Sequence, residues 1–161
     1  MHTAVVAFSF GTPGSTVTNK RLASIAGNRA LTLNCSVITQ RDIEIGLGRE
    51  IKIEEDPHWP APTLRVARHA VTWARAHQIK RLVVVAALPH LARCLRDLRK
   101  AAKERGFTVE IIPDIEVLNS RYFSWFDKSS TQKRVRSLHQ WILREAILMI
   151  MPFWLYKRIA A

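Results

Sequence analysis

A histidine and an arginine stand three residues apart in "AALPHLARCLRDLRKA", as His90-x-x-Arg93, directly after the apolar run "RLVVVAA". On a helix this spacing puts both side chains on one face. An imidazole can donate a hydrogen bond or a proton near neutral pH. A guanidinium is a fixed cation with a geometry suited to carboxylate or phosphate. Backbone N–H groups at a helix N-terminus favour the same negative charge, whereas basic side chains there are disfavoured unless an anion meets them. The chemistry suggested is recognition of an oxyanion with a titratable group beside it. A plainer alternative stays open, in which His90 caps or packs the helix and Arg93 is a surface residue.

Two other stretches carry usable groups. "FSFGTPGSTVTN" holds Ser9, Gly11, Thr12, Gly14, Ser15, Thr16, Thr18 and Asn19 between a strand-like run and a helical one. Small residues let backbone approach a ligand, and a following helix start favours an anion. The stretch is neither a GxGxxG fingerprint nor a P-loop, and a loop that only turns has the same composition. "IEEDPHWPAPTLRVAR" places Glu54, Glu55 and Asp56 ahead of a helix that opens at Thr63. Those carboxylates could balance Arg93, bind a cation or accept a proton, and acids before helices are also common for dipole reasons alone. The two cysteines, Cys35 and Cys94, belong to no CxxC or Cys/His cluster, so no metal site is expected and both read as buried free thiols.

These groups need a scaffold that holds them. Four apolar runs read as core strands, at 4–10, 35–39, 81–87 and 107–112. Helical periodicity lies between them: Val17, Leu22, Ile25 and Ala26 in 17–27; Leu64, Ala67, Val71 and Ala74 in 63–78; Leu91, Cys94, Leu95, Leu98 and Ala102 in 90–105. Such alternation predicts an α/β sandwich on a mainly parallel sheet. In that architecture ligands bind beyond the carboxyl ends of the strands, where the 9–19 loop and His90 would both lie. Gly106 is placed to end the third helix, and Pro60 and Pro62 precede the second. "REIKIEED" reads as either an edge strand or a loop. Beyond residue 113 the alternation stops. A long helix over 131–151 is expected, capped by Ser129 or Ser130, docked by Val135, Leu138, Ile142 and Met149, and kinked or stopped at Pro152.

The 161 residues favour one domain, 1–161, with 131–161 as a helical extension packed on it. Residues 1–60 carry 6 basic and 6 acidic side chains, and residues 61–161 carry 19 and 7, so the whole formal charge of +12 lies in the second part. Such a field suggests an anionic partner, whether a small phosphorylated molecule, nucleic acid or a lipid surface, with solvated helix faces and plain solubility as the open alternative. For nucleic acid the candidate stripe is Arg93, Arg96, Arg99, Lys100 and Lys103 with Arg65, Arg68 and Arg75, but no recognised reader accompanies it. "AILMIMPFWLY" is too short to span a bilayer. With no leader-like start, a cytoplasmic protein is expected, with peripheral membrane contact through the C-terminal helix left open.

The order of these parts resembles the YdcF/ElyC/SanA-like family, the domain of unknown function 218. The resemblance covers residues 4–150 and is most specific at Ala87, His90 and Arg93. Glu55 and Thr63 match the family's Glu before a Thr-headed helix, and Arg144–Glu145 matches an Arg-Glu pair on its final helix. "FSFG" stands where the family's first strand ends in glycines, and "VITQ" where Ser-Gly-Gly follows its second. The resemblance implies a Rossmann-like three-layer sandwich with a polar pocket, and several members are associated with envelope biogenesis. With it, the expected site comprises Glu55 and His90 as acid–base groups, and Ser9, Gly11, Thr12, Gly14, Ser15, Asn19, Thr63 and Arg93 as ligand contacts. The expected ligand is a phosphorylated or nucleotide-like molecule. No cofactor and no reaction type are specified.

Overall fold

The computed structural model describes residues 2–53 and 61–160. Its centre is a five-stranded, all-parallel sheet of β1 (Thr3–Ala7), β2 (Val37–Thr39), β3 (Glu50–Lys52), β4 (Arg81–Val85) and β5 (Glu110–Pro113), in the order β3-β2-β1-β4-β5. β1 and β4 are the middle pair, with Val5 opposite Val83 and Ala7 opposite Val85. Every residue of β1 and all but the first of β4 are buried, as continuous apolar runs in a parallel sheet covered on both faces must be. The doubtful segment at 49–56 contributes the edge strand β3, which is only partly buried and tolerates a charge on either side of Ile51.

Helices α1 (Val17–Leu33), α2 (Thr63–Ala76) and α3 (Leu88–Glu104) flank the sheet. The chain runs outward from β1 through α1 to β2, and in the opposite direction through α2 and α3. Right-handed crossovers therefore put α1 on one face and α2 with α3 on the other. The result is a Rossmann-like three-layer sandwich. α2 buries Leu64, Ala67, Val71 and Ala74, and α3 buries Leu91, Cys94, Leu98 and Ala102. α1 buries Leu22, Ile25 and Ala26, but Val17, expected on that face, is 73% exposed because the helix begins there, at the rim of the sheet. Gly106 follows α3 with a positive φ of 56°, and both cysteines are free and buried.

A one-turn helix α4 (Ile115–Leu118) follows β5, and two 3-10 turns lead to α5 (Leu138–Ile150) and α6 (Phe153–Ala160), which meet at Met151–Pro152. The expected helix from 131 thus begins later, at N-cap Ser137 rather than Ser129 or Ser130. Its docking face also differs. Val135 is buried, but Ile142 is 49% and Met149 38% exposed, and α5 instead turns Trp141 and Leu148 inward. α6 adds Tyr156 and Ala160, which pack with Leu148 and Leu64 of α2. No helix among the described residues is long and apolar enough to cross a membrane.

Candidate functional site

Strand order reverses between β1 and β4, so the loops after these two strands part and leave a crevice beyond their carboxyl ends. Phe8 N–H still donates to the Val85 carbonyl at 2.9 Å; beyond it the chains diverge. The loop after β1 is held by Asn19, which is buried on α1. Its Oδ1 accepts from Phe10 N at 2.9 Å, and its Nδ2 donates to the carbonyls of Gly11 at 3.0 Å and Pro13 at 3.2 Å. Asn19 is therefore part of the loop's scaffold. Gly11 has φ +87°, and a Cβ there would come within 2.6 Å of both Ser130 Oγ and Val135 Cγ2. Glycine is required because the 130–135 segment closes directly over the loop.

That closure changes what the loop offers. The Thr12 carbonyl accepts from Thr131 N at 2.7 Å and Ser130 Oγ at 3.0 Å. The Thr12 hydroxyl lies 2.6 Å from that of Thr131. Val17 N–H, at the start of α1, donates to Asp127 Oδ2 at 2.8 Å. The negative charge that a helix N-terminus attracts is thus supplied by the chain itself. Gly14 and Ser15 lie on a different surface, beside Arg41 and Asp42. Of the candidate contacts in this loop, Ser9 and Gly11 face the crevice, and Ser9 gives both its N–H and its hydroxyl to Gln40 Oε1, at 2.9 and 3.1 Å.

His90 and Arg93 are both buried, and they touch. Arg93 Nη2 donates to His90 Nδ1 at 3.2 Å, and Nη1 donates to the Thr63 hydroxyl at 3.0 Å. Its Nε donates to both oxygens of Glu145, at 2.9 and 3.0 Å. Arg93 lies in the second turn of α3, and the anion it meets is Glu145 of α5. A guanidinium only donates, so His90 Nδ1 must present its lone pair and the ring proton sits on Nε2. Nε2 is 3.3 Å from Thr63 Oγ1 and donates to it. With two incoming donors the lone pairs of the Thr63 hydroxyl are occupied, and its own proton is left for a further acceptor.

The surroundings keep His90 neutral. Burial and then the Arg93 cation lower it from its ordinary value to about 4, against a smaller opposing pull from Glu145. Burial pushes Glu145 up, but His90 and Arg93 hold it below the usual carboxylate value. Trp141 walls the group: its ring stands edge-on to His90 at 5.4 Å and to Phe10 at 4.6 Å, and its Nε1 donates to the Pro89 carbonyl at 3.1 Å.

These side chains border a cavity of about 180 Å³, smaller than the roughly 300–1,000 Å³ of drug-sized pockets. It suits a phosphate-sized group better than a whole dinucleotide. Ser9, Gln40, Thr63, His90, Leu148 and Ile159 are among its lining residues. Arg134 and Arg144 also line it, and neither makes an ion pair or hydrogen bond among the described residues. Burial, then the neighbouring Arg134 and Arg93, lower Arg144 to about 10. Burial and Arg93 lower Arg134 as well. Three arginines thus stand close together, and the one carboxylate among them, Glu145, is bound to Arg93.

Neither Arg134 nor Arg144 is among the ligand contacts expected from the sequence. Position 134 lies in a basic loop without periodicity, and Arg144 was marked only as half of the Arg144–Glu145 pair. Glu55 lies outside the described residues. No group of three metal-ligating side chains comes together among the described residues. Much of the basic stripe on α2 and α3 is committed internally: Arg68 pairs with Glu104, Arg96 binds Asp97 and the Leu148 carbonyl, and Arg93 is buried. Comparison with known proteins finds no match to a family model, a curated protein or a solved structure.

Proposed function

We propose that this protein binds a small phosphate-bearing molecule in the cavity beyond β1 and β4. The observation that carries the reading is the concentration of positive charge there: among the described residues Arg134 and Arg144 face the cavity with no ion pair of their own, beside an Arg93 that is already paired. Mutual repulsion and partial burial disfavour two such cations, and an oxyanion between them relieves both effects. Thr63 adds a hydroxyl whose proton is available to an anionic oxygen. The expected anion-binding role therefore moves from Arg93 to Arg134 and Arg144, and Arg93 becomes the group that positions His90 and Thr63.

The reading extends to an enzyme of the YdcF/ElyC/SanA-like kind acting on the phosphorylated molecule. His90 is the one imidazole lining the cavity among the described residues. A neutral ring with a value of about 4 carries no extra proton at pH 7, and its Nδ1 lone pair is taken by Arg93, so it serves as a hydrogen-bonding group that orients Thr63 rather than as a general acid.

Isothermal calorimetry with inorganic phosphate tests the proposal. Arg144→Ala and Arg134→Ala should each weaken binding about 10- to 100-fold, the scale of roughly 1.5–3 kcal/mol for a hydrogen bond to a charged group. Unchanged affinity in both variants, or no phosphate binding by the unaltered protein, removes the reading.

A further inference from the structure

We infer that the outward face of α5, with the exposed side of α6, is a docking surface for an anionic lipid bilayer. A helix packed on a water-soluble domain turns its apolar stripe inward and its charges outward. On α5 the pattern is reversed. Its inward positions carry Trp141 and Leu148 together with the charged pair Arg144 and Glu145. Beyond the first turn its outward positions carry Ile142, Leu143, Ala146, Ile147 and Ile150, all on one helical face and none charged, with His139 on the same face in the first turn. Leu143 is 69% and Ile150 82% exposed. α6 continues the theme with Trp154 at 65% and Ile159 at 57%. Isolated exposed apolar residues are ordinary, but a contiguous face of them marks an interaction site.

Charge decides what covers it. From Lys133 to Arg158 the chain has six Lys or Arg and a single acidic residue, Glu145, which is bound to Arg93. A second copy of this chain would bring two cationic rims together. An anionic headgroup layer complements the rim while its acyl boundary receives the isoleucines. Trp154 lies on the polar margin, with the Arg158 guanidinium 5.8 Å from its ring centre, a combination suited to the headgroup level. With 13 and 8 residues, α5 and α6 can lie in the interface but cannot span it.

Vesicle co-sedimentation of the full chain tests this. Binding to phosphatidylcholine–phosphatidylglycerol vesicles, three to one, should be about tenfold or more tighter than to phosphatidylcholine alone, and should weaken with salt. The double variant Leu143→Glu, Ile150→Glu should lose about tenfold or more in affinity for the mixed vesicles. Its urea midpoint and phosphate affinity should be unchanged, which separates this surface from the cavity. Equal affinity for neutral and anionic vesicles, or no binding to either, overturns the inference. So does a concentration-dependent dimer that Ile150→Glu abolishes, since the face would then belong to a second copy.

Discussion

Acid should destabilise this protein through His90, well above the pH at which carboxylates titrate. Protonation would place a second N–H, on Nδ1, against the Arg93 Nη2 that lies 3.2 Å away. Arg144 adds to the repulsion, and Glu145, 3.9 Å from Nδ1, opposes it. Trp141, Phe10 and Thr63 complete the shell and offer no charge. The folded ring titrates at about 4, and an unfolded one at its ordinary 6.5. Between those values the unfolded chain binds the proton that the folded chain refuses. The unfolded state therefore gains as pH falls: stability is full above about 6.5 and is lost progressively down to about 4. Integrating proton uptake for these two values gives a loss of about 2 kcal/mol between pH 7.5 and pH 5.

Urea unfolding followed by tryptophan fluorescence at several pH values measures this loss. His90→Asn is the control, because it removes the titrating ring and leaves the carboxylates in place. The variant changes no other titratable group, so the difference between the two pH profiles belongs to His90. The wild type should lose about 2 kcal/mol more than the variant over this range. Parallel profiles would show that His90 takes up its proton in the folded state, and the reasoning about its burial and tautomer would fail.

Two further predictions concern the groups around it. Arg93→Ala leaves Glu145 buried without its counter-ion and should cost about 3–5 kcal/mol in urea unfolding, the scale for breaking a buried ion pair; a loss below about 1 kcal/mol would mean that the pair is solvated. Tyr156→Phe removes the hydroxyl that donates to Asp97 Oδ2, whose carboxylate is wholly buried. It should lower stability by roughly 1.5–3 kcal/mol in the same assay.

What could be read from the sequence followed from local pattern. The four strand runs and three long helices were legible because each buries a continuous or periodic apolar set against the sheet. The place of His90 was legible for the same reason, since a buried run followed by a Pro-led helix must put its first turn at a strand's carboxyl end. The partner of Arg93 was not legible, because Glu145 lies 52 residues away and no local spacing connects them. The same holds for Val17 N–H and Asp127, 110 residues apart. For α5 the periodic signal pointed the wrong way. Ile142 and Met149 sit at helical spacing from Leu138, as a buried stripe would. The face that α5 actually buries contains Arg144 and Glu145, and hydrophobic periodicity has no means of counting charges as core.

The last third of the chain is therefore part of the site. The sheet and its first three helices bring two positive features to the crevice, the start of α1 and the Arg93 guanidinium. Alone, either could hold an external anion. The C-terminal segment answers both with acids of its own, Asp127 at α1 and Glu145 at Arg93. It then returns two cations without an ion pair among the described residues, Arg134 and Arg144, to the lining of the same cavity. This exchange has a physical consequence. Arg93 is locked by four hydrogen bonds, so it fixes the ring of His90 and the hydroxyl of Thr63 in one arrangement. Arg134 and Arg144 keep their donors available. On the proposed reading, rigid positioning and anion capture fall to different arginines, so a ligand would enter without first breaking a buried ion pair.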